Sequence, residues 1–339
     1  MATRLKDIAE ALNISISTVS YALNGGPRSV PDEVRDRVRT VAHDMGYRPN
    51  RLARSLAAGK TMTLGVVPVV SCDDFIANPY FQDCFAGVVS QAKSLDFDVL
   101  LYTHDALNLF RLGDVIMDGR VDGLIFLAPF KELSVLDRVR DEGIPFSLIS
   151  GAHHGSAPAF RCDNAGGMLR AFEHLVGLGH KRIAHFCGDV TMIDGSERLD
   201  GFLASAEAFG VDVPRNWITC GAFATSRGHA CAMELLSHPD RPSAIICASD
   251  EIAVGVYRAA QELGIVIPDE LSVIGFDDSK AALLATPQLT SVRQPLEDMG
   301  RSATRAVTDI IAGRDVTGLV FATDLVIRQS TARPKEVIL

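Results

Sequence analysis

Apolar residues at Leu5, Ile8, Ala9 and Leu12 recur at the spacing of one helix face. Asn13 breaks the pattern. Ser15 is placed to cap a second helix that runs to about Asn24, with Val19 and Leu23 inward. Gly25-Gly26-Pro27 ends it. Pro31 suits the first turn of a third helix, where Asp32 and Glu33 complement the dipole. Val34, Val38, Val41, Ala42 and Met45 form its apolar stripe, and Gly46 stops it. Three short helices around one small core make a unit of about 45 residues, marginal on its own.

Residues 47–60 are short, basic and weakly apolar, and Asn50 is placed to cap a helix of two turns. A helix that short orders only when held. From residue 62 the texture changes. Apolar runs recur at Thr63–Val70, Asp98–Tyr102, Gly123–Leu127, Phe146–Ser150, Ile183–Cys187, Ala244–Ala248 and Ser272–Phe276. Amphipathic helical stretches lie between most of them, including Gly87–Ser94, Met168–Leu178, Arg198–Phe209 and Ile252–Leu263. This rhythm predicts parallel sheets with helices on both faces. The strands are too many for one compact sheet, so two similar lobes are expected.

Composition refines this picture in two places. The 339 residues carry a net charge of −9, distributed unevenly. Residues 1–60 hold ten Lys/Arg and six Asp/Glu, a net +4, which leaves −13 for the remainder. A basic head on an acidic body is expected where only the head meets a polyanion, although clustering this small also arises by chance. The seven cysteines, at 72, 84, 162, 187, 220, 231 and 247, form no Cys-x-x-Cys pair. They read as reduced core residues of a cytoplasmic protein, with no metal site. The N-terminus lacks a secretory apolar run, and no stretch of about 20 apolar residues spans a membrane.

Two helices joined by a turn of about three residues are the outline of a helix-turn-helix. Val19 faces inward, leaving Ile16, Ser17, Thr18, Ser20 and Tyr21 on the other faces. Short hydroxyls at the start of such a helix reach base edges or phosphates. An ordinary amphipathic helix has the same periodicity. More specific are Lys6-Asp7-Ile8-Ala9, Ser15-x-x-Thr18-Val19-Ser20, Leu23-Asn24, Val30, Gly46-Tyr47-x-Pro49-Asn50 and Ala53-Arg54-Ser55-Leu56. In this register, residues 4–59 resemble the DNA-binding head of the lactose/galactose repressor family. The resemblance implies that Ser15, Ile16, Ser17, Thr18, Ser20, Tyr21, Asn24 and Arg28 meet DNA. It implies a minor-groove hinge helix with Asn50, Arg51, Ala53 and Leu56, the last as an apolar wedge. Ile16 has no hydrogen-bonding side chain and can touch only a thymine methyl or sugar.

In open parallel sheets ligands sit beyond the carboxyl ends of strands. Asp163, Asp250 and Asp277 each follow an apolar run, as does Phe223. Asp73 and Asp74 follow the first run, ahead of Asn78-Pro79-Tyr80-Phe81. Each alone also suits a helix cap or turn. Arg198 opens the stretch Arg198–Phe209, where a cation opposes the helix dipole, so a partner should hold it there. That partner is either a ligand's vicinal hydroxyls or an internal carboxylate such as Asp277 or Asp163. Tyr80, Phe81 and Phe223 offer ring faces for a sugar.

The body resembles the same family from about Thr63 to Arg333. The matching pieces include Asn78-Pro79-Tyr80-Phe81, Gly119-Arg120-Val121-Asp122-Gly123, Asp163-Asn164, His174-Leu175-x-x-Leu178-Gly179-His180, Arg198-Leu199-x-Gly201-Phe202 and Val273-Ile274-Gly275-Phe276-Asp277-Asp278. The resemblance implies an all-α helix-turn-helix head (1–46), a hinge and linker (47–61), and an α/β two-lobed body (62–339) like periplasmic binding proteins. Lobe 1 is expected at about 62–160 and 291–321, lobe 2 at about 161–290 and 322–333, with crossings near 160, 290 and 322. Effector contacts are implied at Arg198, Asp277, Phe223, Tyr80 and Phe81; Asp163, Asp194, Asp250 and Gln294 complete the expected set. Met192 stands where the purine-binding branch has an arginine, and Leu127 and Ser249 where the lactose type has asparagines. With Asp194, the pocket is acidic and suits a neutral sugar better than a phosphate.

No phosphate loop, Gly-x-Ser-x-Gly or His-Glu-x-x-His motif is present. His153-His154 lacks a third metal ligand at suitable spacing, and His180 and His185 read as structural. The expectation is a non-enzymatic, cofactor-free transcriptional repressor. It would be a cytoplasmic homodimer on palindromic double-stranded operator DNA, switched by a small sugar effector. Alternatives are a cytosolic sugar-binding protein, or a corepressor-dependent regulator with a non-sugar effector.

Overall fold

A computed structural model of the chain describes residues 3–24, 28–48, 59–70, 72–103, 109–152, 154–155 and 157–335. The expected DNA contacts Asn50, Arg51, Ala53 and Leu56 lie outside the described residues. The chain divides into two units, Met1–Thr61 and Met62–Leu339.

The first unit holds α1 (Leu5–Leu12), α2 (Ile16–Asn24) and α3 (Asp32–Asp44). Asn13 ends α1 in the left-handed conformation, φ +53°. Ser15 Oγ accepts the Thr18 backbone N–H at 3.0 Å and so caps α2. Ile8, Ala9, Val19, Ala22, Val30, Val38 and Ala42 form the buried core. Leu5, Leu12, Leu23, Val34 and Val41 are half-buried and pack at its edge. One expected core position differs: Met45 is exposed, just past the end of α3 at Asp44.

The second unit has two six-stranded sheets. The first contains β1 (Thr63–Pro68), β2 (Asp98–Leu101), β3 (Gly123–Leu127), β4 (Phe146–Ile149), β5 (Ala159–Cys162) and β11 (Leu319–Phe321), in the order β11-β5-β4-β3-β1-β2. The second contains β6 (Ile183–Phe186), β7 (Ile218–Thr219), β8 (Ala244–Cys247), β9 (Ser272–Asp277), β10 (Thr290–Arg293) and β12 (Asp324–Val326), in the order β12-β10-β9-β8-β6-β7. All pairings are parallel except β10 with β12. The inner strands β3, β4, β6 and β8 are buried along their whole length and largely apolar, as parallel strands covered on both faces must be, whereas the outer strands β2, β11 and β12 are partly exposed.

The helices are α4 (Cys72–Ala77), α5 (Pro79–Ser94), α6 (Leu109–Ile116), α7 (Val135–Asp141), α8 (Asn164–Gly177), α9 (Ile193–Ala208), α10 (Thr225–Leu236), α11 (Asp250–Glu262), α12 (Lys280–Leu284) and α13 (Leu296–Ile311). Helix α13 returns to the first lobe and packs on α5 and β4. Gly87 and Gly300 let those two helices meet backbone to backbone. A Cβ at Gly87 would strike the Glu297 carbonyl, and one at Gly300 the Cys84 carbonyl.

The chain passes between the sheets after Cys162, between Arg293 and Leu296, and between Phe321 and Asp324. The second passage falls beyond the expected 290 because β10 pairs with β9 and stays in the second lobe. The first follows Cys162 rather than 160 because all of β5 belongs to the first sheet. One chemical expectation is corrected. Cys187 and Cys220 form a disulfide. The parallel register Phe186↔Thr219 sets them side by side, which sequence spacing alone did not reveal. Among the described residues no helix is long and apolar enough to cross a membrane.

Candidate functional site

In the first unit, the start of α2 presents Ser15, Ile16 and Ser17 exposed, with Thr18, Ser20 and Tyr21 half-buried. Ile16 is 49% exposed and so presents apolar surface at the start of α2. The hydroxyls of Ser17 and Thr18 each share a hydrogen bond with that of Ser15, at 2.9 and 2.8 Å. The cap thus also fixes the first-turn polar groups. Asn24 and Arg28 are exposed.

In the second unit, a cavity of about 510 Å³ opens between the lobes, beyond the carboxyl ends of their strands. From the first lobe Tyr80, Phe81, Phe130 and Ser150 line it. From the second come Met192, Asp194, Arg198, Phe223, Glu251 and Asp277. The mouth is bridged where Phe130 pairs with Met192 and the Lys131 N–H donates to the Thr191 carbonyl at 2.9 Å.

Arg198 organises the wall. It is 2% exposed, its guanidinium carbon 3.8 Å from the centre of the Phe276 ring and 5.9 Å from that of Phe223. Nε donates to Asn164 Oδ1 at 2.8 Å, and Nη1 donates to the Ala248 carbonyl. The carboxylates of Asp194 and Asp277 stand 3.8 and 3.9 Å away, beyond hydrogen-bond reach. Nη2 is buried and has no hydrogen-bond partner among the described residues. Burial works against the charge of Arg198, but Asp194 and the groups around it outweigh that and hold the guanidinium charged.

Burial pushes the Asp277 carboxyl well above its ordinary range; Arg198 opposes the shift and Asp250 adds to it. Gln294, at the second passage between lobes, orients Asp277 by donating Nε2–H to Oδ1 at 2.6 Å. The Asp277 backbone has φ +121°, a conformation L residues rarely adopt. Tyr80 follows the cap that Asn78 provides for α5, and its hydroxyl donates to Ser150 Oγ at 2.6 Å.

The expected set divides. Tyr80, Phe81, Asp194, Arg198, Phe223 and Asp277 line the cavity. Asp163 does not. It caps α8 by accepting the Gly166 N–H at 2.9 Å, stands 3.8 Å from Arg170, and lines a separate groove with Glu197 and Val320. Asp250 lies beneath the wall, where it accepts from Ser291 Oγ at 2.6 Å and the Ser279 N–H at 2.7 Å. Gln294 reaches the cavity only through Asp277. Arg198 does not open its helix. α9 starts at Ile193, so Asp194 takes the first turn and Arg198 the next, four residues on. The internal partner reading therefore holds for Asp277 at a distance and fails for Asp163. Leu127 is core, whereas Ser249 lines the cavity. Sequence reasoning missed Ser150, Phe130 and Glu251; Ser150 ends an apolar run and had the signal that singled out Asp277.

A small helical unit with a helix-turn-helix outline, joined in sequence to a two-lobed body with a charged cleft, defines an effector-responsive DNA-binding regulator. Comparison with known proteins makes the assignment particular. Residues 4–50 match the model of bacterial regulatory proteins of the lacI family, and residues 172–331 that of a periplasmic binding protein-like domain. The chain is 30% identical to the HTH-type transcriptional regulator CelR of Thermobifida fusca, over 96% of its own length and 97% of that protein's. It is 31% identical to the ribose operon repressor of Escherichia coli K12, over 89% and 91%. The structure of a CelR–cellobiose complex superposes with a TM-score of 0.75 at 29% identity, covering 97% of this chain and 99% of that one. A lac repressor dimer bound to operator and an anti-inducer shares the fold, with a TM-score of 0.87 at 23% identity over 98% and 100%. The chain belongs to the LacI family of transcriptional regulators.

Proposed function

We propose that this regulator is a homodimeric, cytoplasmic repressor whose operator affinity is set by a neutral sugar bound in the cleft, without turnover. The observation that carries the sugar is Arg198 Nη2, a buried donor with no partner among the described residues, 3.8 Å from the Asp194 carboxylate, while Asp277 stands 3.9 Å from Nη1. A pair of ring hydroxyls fills that gap, accepting from the guanidinium and donating to the carboxylates. Phe223 and Phe81 supply apolar surface for a ring face. The wall carries more carboxylates than cations, which disfavours phosphorylated or acidic sugars. Two heads on one twofold axis would read an inverted repeat through Ser15, Ile16, Ser17, Thr18, Ser20 and Tyr21.

The test is selection of random duplex DNA by the purified protein at stated salt, with and without glucose, galactose, ribose, cellobiose, a purine base and a sugar phosphate. Enrichment of one inverted repeat, with its retention altered by a neutral sugar, is the expected result. Enrichment that only a purine or a sugar phosphate alters would overturn the sugar assignment. No enrichment under any condition would overturn the repressor reading.

A further inference from the structure

The second lobe carries a sulfur pair that the effector chemistry does not use. β6 and β7 are adjacent and parallel, with Phe186 opposite Thr219, so the next residue of each, Cys187 and Cys220, meet with Cα atoms 4.8 Å apart. Both strands then run directly into the cleft wall. After Cys187 come Gly188 and Asp189; after Cys220 come Gly221, Ala222 and Phe223. Asp189, Ala222 and Phe223 line the cavity. The Phe223 ring covers Gly188 so closely that a Cβ there would collide with it. β7 is a two-residue edge strand, and past it the two loops are joined by a long backbone bond, Gly221 N–H to the Gly188 carbonyl at 3.4 Å, and by the Phe223 ring.

The two sulfurs differ in access. Cys187 is 2% exposed, whereas Cys220 is exposed and its carbonyl accepts from Arg227 Nη2 at 2.8 Å. Of the pair, the exposed Cys220 is therefore the one a disulfide in solution can reach first. Cys84, Cys162, Cys231 and Cys247 are all buried.

We infer that Cys187 and Cys220 form a thiol–disulfide exchange site for low-molecular-weight disulfides, and that its oxidation stiffens the effector cleft. The Cys220 thiolate attacks one sulfur of a disulfide RSSR, forms Cys220–S–S–R and expels RS⁻. The Cys187 thiolate then attacks Cys220 Sγ, closes the internal disulfide and expels the second RS⁻. One RSSR is reduced to two thiols while the protein loses two; a small dithiol runs the sequence backwards. The coupling to effector rests on the reading of the cleft given above, but the thiol chemistry does not.

The experiment equilibrates the full-length protein in glutathione buffers of graded oxidation. Thiols are counted by alkylation and mass, with backbone hydrogen exchange followed in peptides spanning 187–192 and 220–226. The wild type should pass from seven alkylated cysteines to five, and exchange in both peptides should slow about tenfold. Cys220→Ser should hold at six, with exchange independent of the buffer. The fluorescence of Trp217, the chain's one tryptophan and three residues before Cys220, should change only in the wild type. Operator retention should then differ by about threefold or more between the two states. These thiol and exchange readouts need neither DNA nor sugar, so failure of the regulator reading leaves them intact. Seven alkylated cysteines in the most oxidising buffer would overturn the inference. So would a disulfide that forms without changing exchange at the cleft loops.

Discussion

Asp277 and Asp278 are neighbours in the chain, both with positive φ, at +121° and +57°, yet they meet arginine in opposite ways. Asp278 is closed. It accepts from Arg328 Nη2 at 2.5 Å and Arg293 Nε at 2.7 Å, and its N–H donates to Ser291 Oγ at 3.0 Å. Asp277 is open. Its arginine stands 3.9 Å away with a buried Nη2 unpaired, and burial holds its carboxyl well above the ordinary range. A closed pair has spent its hydrogen-bonding capacity on the fold, whereas an open one keeps it for something that arrives. The contrast separates a structural ion pair from a binding site more sharply than the presence of either residue type.

The largest expected effect breaks the open pair. Arg198→Met should lower sugar affinity at least a hundredfold by calorimetry, because a buried charged donor is removed from the ligand. An unchanged affinity would show that the cleft does not use the guanidinium. Breaking the closed pair should act on the fold instead. Arg328→Met should cost about 2 kcal/mol in denaturant unfolding, less than the loss typical of an uncompensated buried charge because Arg293 still holds Asp278, and change sugar affinity less than threefold.

Asp250 sharpens the contrast through pH. Burial raises its carboxyl from 3.8 to about 7, against hydrogen bonds from Ser291 and Ser279. The folded state therefore holds this proton more tightly than the unfolded chain. The group's contribution is most favourable below about pH 4 and is lost as pH rises towards 7. Asp250→Asn should gain a few degrees in Tm over wild type at pH 8 and nothing at pH 4. A difference independent of pH would count against the shift. The smallest effect lies in the first unit. Ser15→Ala removes a closed but exposed cap and should cost that unit about 1 kcal/mol, read by its own melting transition.

The head was legible because its core positions fall at one helical period and its breaks carry Asn, Gly and Pro. Seven strands were legible as apolar runs, most to within one residue, but β10, β11 and β12 were not, being short and partly polar or exposed. The helix starts were not, since Pro79 and Ile193 open α5 and α9 well before the apolar periodicity begins. That early start moved Arg198 from a helix mouth to a second turn and made Asp194 its neighbour. The strand-end rule led equally to Asp163, Asp250 and Asp277, but the three part company in space. A carboxylate's role depends on whether nearby N–H groups claim it first, and those donors come from segments distant in sequence, such as Ser291 for Asp250. The Cys187–Cys220 bond was hidden for the same reason, because strand order is not written at either cysteine.

The three passages between sheets also bear on how the protein is made. Synthesis up to residue 289 yields neither lobe whole. The first still lacks α13 and its edge strand β11; the second lacks β10 and β12. Until those segments leave the ribosome, β5 and β9, inner strands of the finished sheets, stand as unpaired edges. The two lobes therefore finish folding together and late, so a chain that stalls during translation exposes two aggregation-prone surfaces at once.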